Sequence, residues 1–235
     1  MTILPSTAAL AAPKPKTPTV GYDVSYPQCP GPLPTDPAFG IVGVSDGLAY
    51  GQNPCLATEY AWAAKAPLRP VGFYMNTGNP GTAATRADWY STAGPNFDCS
   101  PADEAACAYN YGYNGAAQAL AYAGSQAGAT AAMRGTWWLD VETANSWSGD
   151  TSLNVADIQG SIDYLTANVA AVGVYSTGYQ WGVITGGASF PSLPNWVAGA
   201  INAKRAESMC DASFTGGAVR YVQYSSGGFD ADYAC

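Results

Sequence analysis

Short apolar runs alternate along this chain with longer segments in which apolar residues recur at helical spacing. The runs predict eight strands, at residues 20–25, 39–45, 69–75, 136–142, 172–176, 195–200, 219–224 and 228–233. The segments between them predict helices at residues 53–66, 113–129, 155–169, 179–185 and 201–209, with Asn154 as the cap of the third. Strands that alternate with helices are typical of parallel βαβ units.

The number of strands predicts the fold. Eight strands suit a closed barrel, and single barrels commonly have about the length of this chain, 235 residues. We therefore expect one α/β domain over residues 20–235, a (β/α)8-like barrel whose outline can be irregular or flattened. A Gly-, Pro- and Tyr-rich segment at 76–112 predicts an inserted disulfide-bearing loop after the third strand. Residues 1–19 are Ala- and Pro-rich, and we expect a signal-peptide remnant outside the fold.

The composition excludes several classes of function. The chain has a net charge of −8 and contains no histidine. A basic surface for nucleic acid is therefore not expected, and neither is a Ser-His triad, a Cys-His triad or a usual catalytic zinc site. The sequence has no phosphate-binding loop, dinucleotide fingerprint or segment of transmembrane length, so we expect no cofactor, no metal and no membrane insertion. Hydrolytic chemistry in this chain has to rest on carboxylates.

The cysteines indicate where the protein works. An even number, six, predicts three disulfides and a secreted protein. Many pairings are possible, and the simplest joins neighbours along the chain: Cys29 with Cys55, Cys99 with Cys107, and Cys210 with Cys235. The alternative is a cytosolic protein with free buried thiols.

The leading candidate for chemistry is the run WWLDVE at residues 137–142, which ends in two carboxylates two positions apart. In a strand, such residues point to the same face, so Asp140 and Glu142 should lie side by side, roughly 6–7 Å apart at Cα. Carboxylates that close repel each other, and one of them should hold its proton near neutral pH. A glycoside hydrolase needs a protonated acid at the leaving oxygen and a charged group beside the anomeric carbon.

Polar side chains also recur at or near the ends of the other predicted strands. They are Asp23, Asp46, Tyr74, Asn76, Tyr175, Trp196, Gln223, Tyr224, Asp230 and Asp232. In a parallel barrel these strand ends meet at one mouth, which is the face that carries active sites. We therefore expect these side chains to converge around Asp140 and Glu142.

The order of these motifs resembles that of the glycoside hydrolase family 25 lysozymes (N-acetylmuramidases) and their divergent actinobacterial relatives. GYDVS at residues 21–25 resembles the opening Gly-Ile-Asp-Val-Ser of that family, and WLDVE at 138–142 resembles its Asp-x-Glu strand. VYS at 174–176, WVA at 196–198, VQYS at 222–225 and FDAD at 229–232 are similar to its later strands. The resemblance covers roughly residues 20–235.

The resemblance implies roles for the matching residues. Glu142 would be the general acid, and Asp140 would stabilise positive charge or orient the 2-acetamido group of the substrate. Asp23 and Asp230 would complete the catalytic cluster of acids and bind sugar hydroxyls. The substrate-binding residues would be Asp46, Tyr74, Asn76, Tyr175, Trp196, Gln223, Tyr224 and Asp232.

Two strands depart from the family pattern. VSDG at residues 44–47 stands where the family has Lys-Ala-Thr-Glu-Gly, and YMN at 74–76 lacks the His of the family. The expected function is that of a secreted glycoside hydrolase that cleaves the β-1,4 linkage between N-acetylmuramic acid and N-acetylglucosamine in peptidoglycan. The alternatives are a non-catalytic carbohydrate-binding barrel, which these departures favour, and a secreted scaffold or toxin-like partner without sugar chemistry.

Overall fold

Eight strands close into a barrel in the structure, a computed structural model that describes residues 20–68, 70–80, 99 and 104–235. The strands are β1 (Val20–Val24), β2 (Gly40–Gly43), β3 (Gly72–Asn76), β4 (Thr136–Asp140), β5 (Ala171–Ser176), β6 (Asn195–Ala200), β7 (Val219–Ser226) and β8 (Phe229–Ala234). Each strand bonds to the next one along the chain, and β8 closes the ring against β1. The predicted α/β barrel is confirmed.

Helices pack around this barrel. Those described are α1 (Leu56–Ala63), α2 (Glu104–Ala127), α3 (Ala129–Arg134), α4 (Thr151–Asn168), α5 (Gly178–Thr185) and α6 (Ala203–Glu207), with a 3-10 turn at Tyr26–Gln28. The start of α2 corrects the sequence prediction, because residues 104–112 of the predicted loop are helical. Gly112 lies against the backbone of α4, and this close packing outweighs the weak helix propensity of a Gly- and Tyr-rich segment. Residues 81–98 and 100–103 of that loop lie outside the described residues.

The direction of β8 differs from the prediction. β1 to β7 run parallel to their sequence neighbours, but β8 is antiparallel to both β7 and β1. A parallel connection needs a crossover of roughly a dozen or more residues, whereas only Gly227 and Gly228 separate β7 from β8. Both glycines have positive φ, 62° and 85°, which suits a tight hairpin turn. As a result, β8 begins at the mouth of the barrel, and Asp230 lies nearer to the mouth than Asp232.

The start of α4 also differs from the prediction. Asp150, not Asn154, caps this helix, and its carboxylate accepts a hydrogen bond from Ser152 N at 2.8 Å. Asn154 is buried in the first turn of the helix, where its Nδ2 donates to Ile184 O at 2.9 Å. The predicted cap therefore ties α4 to α5 instead.

Alternation along the strands separates two apolar layers. In β4, Trp137 and Leu139 point outward into the layer between the strands and the helices, whereas Trp138 points into the barrel. Trp138 meets Trp196 inside, with ring centroids 5.9 Å apart. The same alternation turns Asp140 inward, so this carboxyl lies directly above an aromatic barrel core.

Three disulfides join the cysteines as neighbours along the chain: Cys29–Cys55, Cys99–Cys107 and Cys210–Cys235. The last of these ties the segment after α6 to the end of β8. Within the described ranges, none of the helices combines the length and the apolar character needed to cross a membrane.

The contact between α2 and α4 makes a prediction about stability. A Cβ atom added at Gly160 would lie 2.0 Å from Tyr109 O, a backbone atom that cannot rotate away. We expect Gly160→Ala to lower the free energy of unfolding by about 3 kcal/mol, since overpacking forces the two helices apart. Urea denaturation measures this loss. Gly182→Ala in α5 is the control, because a Cβ there meets nothing within 4 Å, and equal stability of the two variants would contradict the prediction.

Candidate active site

The carboxyl ends of the parallel strands surround a cleft of about 300 Å³ at the mouth of the barrel. Its lining consists of Asp23, Ser25, Tyr26, Pro27, Gln28, Gly47, Tyr74, Asn76, Asp140, Glu142, Ala144, Asn145, Tyr175, Trp196, Gln223 and Asp230. The cleft thus brings together all four acids predicted as catalytic. It also contains five of the predicted substrate-binding residues: Tyr74, Asn76, Tyr175, Trp196 and Gln223.

Three predicted substrate-binding residues lie elsewhere. Asp46 is exposed outside the lining, although its neighbour Gly47 belongs to it. Tyr224 follows Gln223 on β7 and therefore points to the opposite face, where it packs among apolar residues outside the barrel. Asp232 is 0% exposed and lies on β8 below the floor of the cleft. These three side chains are therefore not part of the cleft lining.

Asp140 is the most protected acid in the lining. It is 4% exposed, and Asn76 Nδ2 donates a hydrogen bond to its Oδ2. Burial raises the pKa of Asp140 well above its usual range, and the nearby charges of Glu142 and Asp23 raise it further. Its carboxyl lies close enough to that of Glu142 for the two charges to oppose each other. Two neighbouring carboxyls are costly to ionise together, and burial favours Asp140 as the one that keeps its proton.

Glu142 lies two residues beyond β4 and is more accessible than Asp140. Its backbone carbonyl accepts hydrogen bonds from Asn145 N at 3.0 Å and from Trp147 Nε1 at 2.8 Å. Its carboxylate oxygen Oε1 accepts a hydrogen bond from Gln180 Nε2 at 3.4 Å. A tight turn therefore presents the Glu142 side chain to the cleft from a fixed backbone.

A second pair of acids lies across the barrel. Gln223 Nε2 donates to Asp23 Oδ2 at 2.9 Å, and Trp196 Nε1 donates to Asp232 Oδ1 at 2.7 Å. Burial raises the pKa of Asp23 to about 8, and it raises the pKa of Asp232 well above its usual range. The two carboxyls lie close enough together for the charge of Asp23 to raise the pKa of Asp232 further. Asp230, opposite Asp23 in the sheet, also has its pKa raised by burial.

Aromatic side chains hold the polar ones in place. Tyr175 Oη donates to Gln223 Oε1 at 2.7 Å, which turns the amide nitrogen of Gln223 toward Asp23. The ring of Tyr175 packs on the ring of Trp196, with centroids 4.5 Å apart. Trp196 is 1% exposed, so it forms the floor of the cleft more than a surface for a sugar.

The sequence predictions missed several residues of this region. Tyr26, Pro27 and Gln28 line the cleft directly after β1, and Ala144 and Asn145 line it after β4. Gln180, in the first turn of α5, contacts Glu142 from outside the lining. Their position along the chain could have indicated them, because each lies within a few residues of the end of a strand that the sequence predicts.

The arrangement defines a class of enzyme. A barrel with two neighbouring carboxyls at its carboxyl-terminal mouth is typical of a glycoside hydrolase, in which one acid protonates the leaving oxygen. In the described part of the chain, no group of three or more His, Cys, Asp or Glu side chains is placed to hold a metal ion.

Comparison with known proteins identifies the family. A family model described as "Lysozyme-like protein 1" matches residues 105–213. A relative from Dictyostelium discoideum, "Probable GH family 25 lysozyme 4", is 32% identical over 180 residues, which cover 68% of this chain and 72% of the relative. The chain therefore belongs to the glycoside hydrolase family 25 lysozymes and is a glycoside hydrolase.

Solved structures share the fold at low sequence identity. The muramidase from Acremonium alcalophilum has a TM-score of 0.58 at 17% identity, covering 92% of this chain and 93% of that one. The lysozyme from Streptomyces coelicolor has a TM-score of 0.56 at 16% identity, covering 94% and 93%. The autolysin LytC from Streptococcus pneumoniae, in complex with a synthetic peptidoglycan ligand, has a TM-score of 0.57 at 16% identity, covering 91% of this chain and 46% of LytC.

Proposed function

We propose that this protein is a secreted muramidase that cleaves the β-1,4 bond after N-acetylmuramic acid in peptidoglycan, with Glu142 as its general acid. One observation carries the proposal: an accessible carboxyl, Glu142, lies beside a buried one, Asp140, in the cleft at the mouth of the barrel. The relatives named as lysozymes, muramidases and peptidoglycan-binding autolysins support the choice of substrate.

The first chemical step follows from the accessibility of the two acids. The reactive form has a proton on each carboxyl: Glu142 gives its own proton to the glycosidic oxygen, and the bond from that oxygen to the anomeric carbon breaks as positive charge develops on the sugar. The deeply buried Asp140 cannot reach this oxygen, but a proton on Asp140 can bond to the carboxylate that Glu142 leaves behind. Asp140 therefore stabilises the conjugate base of the acid.

The second step needs a group beside the anomeric carbon. The 2-acetamido oxygen of the substrate itself attacks that carbon, and water then opens the resulting cyclic ion with Glu142 acting as base. Asp23, Asp230 and Asn76 are placed around the cleft to bind the acetamido group and the sugar hydroxyls. Protonated carboxyls serve here as hydrogen-bond donors, which spares an acidic sugar the repulsion of a fully charged cleft.

Secretion is part of the proposal. Three disulfides are typical of proteins that fold and act in oxidising surroundings, where cell-wall glycan is also found. A protein of net charge −8 has no general attraction to an anionic wall, so binding has to come from the cleft.

The products of wall digestion test the proposal. Purified peptidoglycan is incubated with the protein, the new reducing ends are reduced with borohydride, and the fragments are identified by mass spectrometry. We expect fragments that end in reduced N-acetylmuramic acid. Fragments ending in reduced N-acetylglucosamine would identify a glucosaminidase instead, and the absence of any new ends together with retained binding would identify a carbohydrate-binding barrel.

A further inference from the structure

Gln180 lies outside the cleft lining but contacts its accessible acid. Its Nε2 donates a hydrogen bond to Glu142 Oε1 at 3.4 Å. Hydrogen bonds to catalytic groups are often long in the free enzyme and tighten when substrate binds. The two ends of the Gln180 amide have different partners, and these partners determine its orientation.

Thr143 fixes that orientation. Its backbone N–H donates to Gln180 Oε1 at 2.7 Å, and its hydroxyl donates to the same oxygen at 2.9 Å. A backbone N–H can only donate, so the oxygen of the amide has to face Thr143. The amide nitrogen is then left facing Glu142, whose oxygen can accept.

The backbone of Gln180 is also held in place. Thr177 caps α5, and its hydroxyl oxygen accepts a hydrogen bond from Gln180 N at 3.1 Å. Ser176, at the end of β5, donates from its hydroxyl to Val141 O at 2.7 Å. These bonds tie the start of α5 to the segment that carries Glu142. The Gln180 and Glu142 side chains therefore follow the ends of two neighbouring strands, β5 and β4, which set the distance between them.

We propose that Gln180 is a positioning residue for Glu142: its amide N–H occupies Oε1, so that the acid proton is carried by Oε2. This inference rests on the proposed role of Glu142 as the acid. A protonated carboxyl has one hydroxyl oxygen and one carbonyl oxygen, and a donor aimed at Oε1 favours the form in which Oε1 is the carbonyl. Once the proton has left, the same N–H stabilises the carboxylate.

Turnover of Gln180→Ala is the first test. We expect kcat on peptidoglycan to fall by about tenfold or more, with KM within about twofold and an unchanged melting temperature. Gln126→Ala, an exposed glutamine on α2, is the matched control and keeps the wild-type kcat. A Gln180→Ala enzyme with wild-type kcat would overturn the inference.

The conservative variant Gln180→Glu separates positioning from packing. Its protonated side chain at acid pH can donate to Glu142 as the amide does, whereas its ionised form cannot. We therefore expect the ratio of its kcat to that of the wild type to fall as the pH rises. A ratio that is constant with pH would mean that the glutamine only fills space, and it would overturn the inference.

A titration of the free protein tests the contact without any substrate. The protein is labelled with 13C at glutamate carboxyl carbons, and the Glu142 signal is assigned by its loss in Glu142→Gln. In Gln180→Ala we expect the titration curve of this signal to move to higher pH, because the carboxylate loses a donor. Coincident curves would refute the Gln180 inference even if the protein proves to be a muramidase, and a shifted curve would support it even if the substrate is a different glycan.

Discussion

Glu142→Gln is expected to lower kcat/KM on peptidoglycan by about a hundredfold to ten-thousandfold, the usual contribution of a general acid. An amide has no proton to give to the leaving oxygen, but it has nearly the same shape as the carboxyl. Its oxygen can still accept from Gln180, so we expect the melting temperature to stay close to that of the wild type. The release of reducing ends measures the loss, and circular dichroism checks the fold.

The leaving group shows whether the loss comes from acid catalysis. With an aryl glycoside, whose phenolate departs without help from a proton, we expect the gap between Glu142→Gln and the wild type to narrow by at least about tenfold. Glu104→Gln, which changes an exposed carboxylate at the start of α2, controls for the loss of one charge. Full turnover by Glu142→Gln on peptidoglycan would remove Glu142 from the acid role.

The free energy of unfolding is expected to fall by several kcal/mol between pH 4 and pH 8, by linkage. The cause is a set of buried carboxyls whose pKa values burial raises: Asp23, Glu59, Asp140, Asp157, Asp230 and Asp232. In Asp23, Glu59, Asp140 and Asp232 one carboxyl oxygen accepts from a neutral amide or indole N–H, and no cation among the described residues compensates the charge. Such groups stay protonated in the folded state under conditions that ionise them in the unfolded chain.

The direction of this effect follows from the raised pKa values. A carboxyl whose pKa is raised by folding contributes its full stability below the pKa of the unfolded chain, about 4, and loses it as the pH rises through the folded pKa. For Asp23 the window runs from the ordinary value of 3.8 to about 8. Urea denaturation at pH 4.5, 6 and 8 measures the slope, and a free energy of unfolding that stays flat or rises over this range would contradict the prediction.

Asp157 allows the effect to be tested at one position away from the cleft. It lies in the contact between α4 and α2, and both of its carboxyl oxygens are buried without a hydrogen-bond donor among the described residues. Because Asn does not ionise, we expect Asp157→Asn to make unfolding less dependent on pH than in the wild type. Asp150→Asn is the control. The hydrogen bonds from Ser152 lower the pKa of the exposed Asp150, so this carboxyl makes stability rise with pH, opposite to the effect of Asp157.

The sequence was sufficient to predict the barrel and most of the cleft because both depend on one regularity. Apolar runs mark the strands, and the polar residue at the end of each run marks the mouth. Asp23, Asn76, Asp140 and Gln223 all obey this rule, and the structure places all four in the cleft lining. Their roles in binding and catalysis remain predictions that the variants above can test.

The predicted residues that lie outside the lining do so for reasons that a pattern along the chain does not contain. Tyr224 lies next to Gln223 at a strand end, and only the alternation of the finished strand turns it outward. Asp232 is aligned with the mouth only if β8 runs parallel, and the two-residue turn before β8 reverses that strand. Gln180 was missed because its importance lies in what it touches, Thr143 and Glu142, and both contacts cross from one βα unit to the next.

The hairpin between β7 and β8 has a consequence for the kind of polymer that the cleft can accept. At this mouth, residues 141–150 connect β4 to α4, whereas Gly227 and Gly228 alone connect β7 to β8. We expect a glycan strand to leave the cleft across this short hairpin, without its end having to be threaded. We therefore expect endo-acting cleavage, in which a strand is bound and cut far from either terminus within a cross-linked mesh.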